Sequence, residues 1–144
     1  MASLIRLSEA AVLALHAMAL IARQDGAWVS TATCAKACRA SRDHMSKVCR
    51  RLAKAGFLTA KRGKQGGFRL RRPAAKTRLV GVLQLFDGRQ KGLACLVGVG
   101  QARQAGAAVC IFGPPMAALQ RSVLDYFRQT RVSDLAARCR PGRP

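Results

Sequence analysis

The feature that most constrains this chain is a change of period at Gly56. On its amino-terminal side, Met45, Val48, Cys49 and Leu52 recur at helical spacing, so a helix opened by Ser41 puts its apolar residues on one face. Arg42, Lys47, Arg50, Arg51 and Lys54 occupy much of the remainder. Gly56 suits the left-handed conformation that stops a helix. On its carboxyl-terminal side, Phe57 to Lys61 and Phe68 to Leu70 read as short strands around Arg62-Gly63-Lys64-Gln65-Gly66-Gly67, a hairpin with a basic, glycine-rich tip.

Ser30 caps a short helix through Lys36 to Cys38, and a brief break separates it from the basic helix. Two adjacent helices joined by a short turn, the second strongly basic, form the pattern of a helix-turn-helix, and a hairpin directly after it reads as a wing. Further upstream, Ser8 precedes an apolar run through Ile21, which predicts a first helix ending near Arg23, before Gln24-Asp25-Gly26. That helix is apolar nearly all round, and His16 falls within it, so burial on several sides is expected. Downstream, Thr77 opens a fourth helix striped by Leu79, Val82, Leu83 and Phe86 and stopped by Asp87-Gly88.

Arg89 to Pro115 holds five glycines and two cysteines, a composition that favours a long loop. Pro115 then starts a long helix to Gln129, with Met116, Leu119, Val123 and Phe127 on one side and Leu124 and Tyr126 broadening the apolar surface. A small domain rarely needs that much extra core, so a dimer seam is expected there, with packing inside the protomer as the alternative. Ser133 caps a short turn through Ala137. The expected architecture is mainly α, a winged helix-turn-helix with a short β-hairpin wing and a long C-terminal dimerisation helix. Its divisions are a DNA-binding domain over 1–88, a cysteine-containing, sensor-like loop over 89–114, the dimerisation helix over 115–137 and a disordered tail over 138–144.

Charge narrows the choice of partner. The 144 residues carry 26 Lys and Arg against 6 acids, a net charge of +20, so a polyanion is the leading partner and nucleic acid fits best. Residues 41–76 hold twelve of those cations and one acid, Asp43, which marks the contact surface. A membrane surface would call for a basic amphipathic helix, whereas much of this charge lies around turns. The run Ala10 to Ala22 imitates a signal-peptide core, but Glu9 and His16 interrupt it and it is too short to span a bilayer, so a cytoplasmic protein with no membrane partner is expected. The wing glycines are not a nucleotide-binding loop, because no GKS or GKT follows. An enzyme is disfavoured, since no Ser-His-Asp set, carboxylate pair or complete metal site is evident. An RNA-binding or ribosome-associated protein is the rival reading, though only seven aromatic residues, no aromatic stacking motif and no GxxG clamp between helices argue against it.

The six cysteines are Cys34, Cys38, Cys49, Cys95, Cys110 and Cys139, and in a chain with no convincing export signal they read as thiols or ligands rather than disulfides. Cys34 and Cys38 lie one helical turn apart and Cys49 sits on the inner face of the basic helix, where small buried residues are expected. A zinc site on Cys34 and Cys38 lacks a second ligand pair at normal spacing.

Ser41-Arg42-Asp43-His44-Met45-Ser46-Lys47-Val48, then Leu52-Ala53-Lys54-Ala55-Gly56-Phe57, then Arg62-Gly63-Lys64-Gln65-Gly66-Gly67-Phe68-Arg69-Leu70 together resemble the Rrf-type winged-helix transcription regulators, which include iron-sulfur and nitric-oxide responsive members. The resemblance extends over residues 5–137. It implies a dimeric, sequence-specific repressor of redox, nitric-oxide or iron-sulfur responsive type on a pseudo-palindromic double-stranded DNA operator. The third helix would enter the major groove and the wing arginine the minor groove. The DNA-contact set is then Ser41, Arg42, Asp43, His44, Lys47 and Arg50 on the helix, with Arg62, Lys64, Gln65, Gly66 and Gly67 in the wing. Gln65 stands where the family usually has a third consecutive glycine.

Relatives with a [2Fe-2S] cluster usually place three cysteines between the fourth helix and the long one. Here Cys95 and Cys110 match the outer two, fourteen residues lie between them, and Gln104 occupies the middle place. Val12 and Gly113 fall where some relatives supply a further ligand, and neither can bind iron. His16 and Cys139 are the remaining candidates to complete a set. A cluster, a thiol switch at Cys95 and Cys110, and a lost sensor with passive cysteines all stay open.

Overall fold

The computed structural model describes residues 7–88 and 113–139. Three serines set the first three helices. Helix α1 spans Glu9–Ala22, α2 Thr31–Ala37 and α3 Arg42–Lys54; the hydroxyls of Ser8, Ser30 and Ser41 accept from the backbone N–H of Ala11 at 3.1 Å, Thr33 at 3.0 Å and His44 at 3.1 Å. Each such cap satisfies an orphan donor and contributes about 1 kcal/mol. Gly56, at φ +82°, takes the left-handed position beyond α3, as expected.

Helix α1 is the centre of the molecule. Its Ala11, Leu13, Ala14, Leu15, Ala17, Met18, Ala19 and Ile21 are buried, which is why it reads as apolar nearly all round. His16 departs from that expectation: it is exposed, and its Nδ1 bonds the Val12 carbonyl at 2.8 Å. Met45, Val48, Cys49 and Leu52 of α3 pack into the same core.

Strands β1, Leu58–Lys61, and β2, Gly67–Leu70, pair antiparallel with Leu58 opposite Leu70, Thr59 opposite Arg69, Ala60 opposite Phe68 and Lys61 opposite Gly67. Phe57 stays outside β1 because its N–H closes the end of α3 on the Leu52 carbonyl at 3.0 Å. A third short piece of chain joins this sheet. Val29, between α1 and α2, exchanges hydrogen bonds of 2.9 and 2.8 Å with Phe68, and a side chain at Gly67 would stand 2.2 Å from the Val29 carbonyl oxygen. Glycine at Gly67, with φ +148°, is therefore required by space and by backbone conformation alike.

A 3₁₀ turn at Ala74–Lys76 leads into helix α4, Leu79–Asp87. The expected start at Thr77 is two residues early. Thr77 is buried and extended, its carbonyl accepting from the Val132 N–H at 2.9 Å while the Leu79 N–H donates to Thr130 at 3.0 Å. Helix α5 spans Gly113–Gln129, two residues earlier than a start at Pro115; Pro114 and Pro115 fit its first turn, where the missing N–H costs no helical bond.

Helix α6 is Val132–Arg138, and the expected Ser133 cap is replaced by an acid: the Asp134 carboxylate accepts from the Arg131 N–H at 2.8 Å. The helix continues through Arg138, and the Cys139 N–H still bonds the Leu135 carbonyl at 2.8 Å, so the first two residues expected in a disordered tail are structured. The rest of that tail, and the loop from 89 to 112, lie outside the described residues. Val132 is fully buried and α6 packs on α1, so the core that supports α3 includes residues from beyond α5.

Candidate nucleic-acid interface

The amphipathic division of α3 creates one face of the interface. With Met45, Val48, Cys49 and Leu52 turned inward, Arg42, Asp43, Lys47 and Arg50 are exposed together. Ser41 sits at the edge with its hydroxyl engaged in the cap. His44 is half-buried, its Nδ1 3.9 Å from a carboxylate oxygen of Glu9 on α1. Arg51 turns the other way: it donates to the Leu85 carbonyl at 2.7 Å and lies 4.9 Å from the Phe86 ring centroid, tying α3 to the end of α4.

The wing supplies the second face. Arg62, Lys64 and Gln65 are exposed at its tip, where the Gly66 N–H closes the turn on the Gly63 carbonyl at 2.9 Å; Gly66 and Gly67 are half-buried against backbone. Sequence reasoning missed Trp28. Its ring lies beside the outer face of the wing sheet, 4.5 Å from the Arg69 guanidinium carbon and 5.8 Å from Lys61 Nζ. A cleft of about 400 Å³ opens between the wing tip and α2, lined by Trp28, Ser30, Thr33, Lys64, Gln65 and neighbours. That Trp28 is the chain's single tryptophan was a signal available from the sequence; its place beside the wing was not.

The described cysteines sit away from both faces. Cys34 and Cys49 are buried where α2 meets α3, and a hydrogen bond shared with Cys34, together with burial, pushes the Cys49 thiol up. Burial and the neighbouring Cys34 and Cys139 thiols raise Cys38 as well. Cys38 and Cys49, held protonated in this way, are poor nucleophiles and poor ligands, in keeping with a packing role. Cys95, Cys110 and Gln104 lie outside the described residues.

A helix pair with a basic, exposed second helix, followed by a hairpin carrying cations at its tip, defines a winged helix-turn-helix DNA-binding protein. Over residues 7–138 the sequence matches the family described as Rrf2, iron-dependent transcriptional regulator, and the chain belongs to that family. It is accordingly a DNA-binding transcription regulator and not an enzyme. Among solved structures it is similar to CymR (YrzC), the global cysteine regulator of B. subtilis, with a TM-score of 0.74 and 17% identity over 94% of this chain and 99% of that one. It is also similar to the oxidized form of Staphylococcus aureus CymR, with a TM-score of 0.67 and 20% identity over 92% and 96% of the two chains. T. potens IscR gives a TM-score of 0.67 and 17% identity over 97% and 92%. At these identities the likeness establishes the shared fold.

The family's description invokes iron, which makes the donor set of this chain relevant. Among the described residues, no three of His, Cys, Asp or Glu gather so as to hold a metal ion. Neither residue held in reserve to complete a ligand set helps, since His16 bonds its own helix and Cys139 lies near the raised Cys38 thiol at the end of α6. The described residues do not fit an iron-sulfur centre.

Proposed function

We propose that the chain is a homodimeric, cytoplasmic, sequence-specific repressor whose α3 reads the major groove of a double-stranded operator while the wing enters the adjacent minor groove. One observation carries this reading: Arg42, Asp43, Lys47 and Arg50 share an exposed face that begins at the amino end of α3, the end a recognition helix presents to base edges. Arg42, His44, Lys47 and Arg50 supply donors; Asp43 is the one carboxylate among them and suits a cytosine amino group. Arg62 and Lys64 at the wing tip act through phosphate and groove potential, with Gln65, Gly66 and Gly67 shaping the tip. Ser41 holds the helix start rather than a base.

Signal reception is assigned to the segment between α4 and α5 that carries Cys95 and Cys110. Metal binding or oxidation there would bias how two protomers space their α3 helices. The Arg51 link from α3 to Leu85 and Phe86, at the entrance to that segment, supports this route. The donor set favours thiol chemistry over a cluster.

The test is binding by fluorescence anisotropy to duplexes enriched from a random pool, against structured RNA of equal length. Expected is duplex binding with a steep salt dependence, and a slope shallower by about one unit for each of Arg62→Gln and Lys64→Gln. Preference for the RNA would favour the ribosome-associated alternative. Operator affinity measured reduced, oxidised and after iron-sulfur reconstitution, for wild type and a Cys95→Ser, Cys110→Ala variant, tests the sensor. Identical affinity in every state would leave a DNA binder with no thiol signal.

A further inference from the structure

Two readers in adjacent grooves must straddle one strand of the duplex, and the chain has a place for that strand. We infer that Trp28, Lys61 and Arg69 form, with the cleft between the wing tip and α2, a separate seat for the phosphodiester strand that divides the two grooves. The inference rests on the reading of α3 and the wing as groove readers.

Main-chain pairing sets the position of Trp28. Val29 is locked to Phe68 by two hydrogen bonds, with both side chains buried in the core. Side chains alternate across an extended segment, so Trp28, one residue earlier, falls on the opposite, outward face. Arg69, next to Phe68, is exposed by the same alternation, and Lys61 is exposed opposite Gly67. The indole thus meets both cations because of the register rather than through a local sequence motif.

The way these cations are held identifies their partner. Among the described residues, the carboxylate pairs are His44 with Glu9 and Arg128 with Asp125, so no carboxylate lies within ion-pair distance of Lys61, Lys64 or Arg69. An acid in place of Trp28 would also order Arg69, but it would cancel the charge. An aromatic ring orders a guanidinium while leaving its charge and its N–H donors available, and ordering before contact reduces the entropy lost on binding. The cleft beside the ring offers the Gln65 amide and the Lys64 ammonium, and the Ser30 and Thr33 hydroxyls, bonded to each other at 2.8 Å, leave one O–H between them to donate to phosphate oxygens as well. A positively charged, half-open channel with an aromatic wall and no paired acid suits the duplex backbone better than a protein surface or a small neutral ligand.

Because Trp28 is the chain's single tryptophan, its emission reports on this seat alone. The full-length protein is titrated with the enriched duplex while tryptophan emission, acrylamide quenching and the anisotropy of labelled DNA are followed. Expected is an emission change that saturates with the anisotropy curve and a fall in the quenching constant of about twofold or more as DNA covers the ring. Trp28→Leu should weaken binding by about tenfold, and Lys61→Gln and Arg69→Gln, exposed and tolerable to the fold, should each lower the salt slope by about one unit. Circular dichroism melting of each variant keeps a folding defect distinct from a contact defect. If duplex binds tightly but emission, quenching and the salt slopes of Lys61→Gln and Arg69→Gln stay unchanged, the seat is refuted while the groove readers stand. Failure of wild type to bind any duplex at about 50 mM salt would refute the groove readers and the seat together.

Discussion

Asp43 is the one acid among the exposed side chains of α3, and its role separates base reading from simple charge attraction. Phosphate repels a carboxylate, so Asp43 is useful at the interface only if it accepts from a base or orients Arg42. Asp43→Ala should change the preferred base at one operator position, a discrimination of about 1–3 kcal/mol, measured by competition among single-base variants of the operator. Uniform gain or loss across all variants would show that it reads nothing. Gly67 has a different kind of necessity: its substitution by Ala drives a methyl group into the Val29 carbonyl, and thermal unfolding should reveal a loss of roughly 2–4 kcal/mol. Single residues were legible in the sequence where their partners are local. Ser8, Ser30 and Ser41 cap N–H groups three residues on, whereas Trp28 depends on Val29 meeting Phe68, a pairing across 39 positions that no local pattern announces. At α6 the acid directly after Ser133, Asp134, reaches back three residues to the Arg131 N–H and takes the place expected for Ser133.

Among the elements, α3 and the wing were legible because each follows a strict period, 3.6 on one side of Gly56 and 2 on the other. The start of α4 was not, because Thr77 is held extended by Val132, far away in sequence. For α5 the apolar surface divides in the structure: Phe127 packs against the core, while Leu119 and Tyr126 remain 52% and 45% exposed. Large exposed apolar side chains on one helix are the expected mark of a partner. Leu119→Glu combined with Tyr126→Glu should leave the protomer folded, since neither side chain is in its core, and should convert a dimer to a monomer by light scattering. A wild-type protein that is monomeric at micromolar concentration would remove the dimer seam from the proposal.

On the scale of the whole molecule, α6 closes the described fold. Val132 is fully buried with α1, and the extended backbones of Arg78 and Arg131 run antiparallel as a clasp. Val132→Ala should cost about 2–3 kcal/mol in chemical denaturation although the residue lies far along the chain from α3. Operator affinity of the folded variant should be unchanged, because α6 supports α3 only through the shared core. A smaller loss, below about 1 kcal/mol, would mean that α6 is an appendage rather than part of that core. The same clasp bears on how the protein is made. A nascent chain emerging at about 5–20 residues per second presents α1 and its basic reader long before Val132 arrives, so the reader lacks its full support for several seconds of synthesis. A strongly cationic segment in that state sits beside the ribosomal RNA and the message itself, both polyanions. Completing the core only once Val132 has emerged thus delays a stable DNA grip, and biosynthesis itself sets the order in which this protein meets nucleic acid.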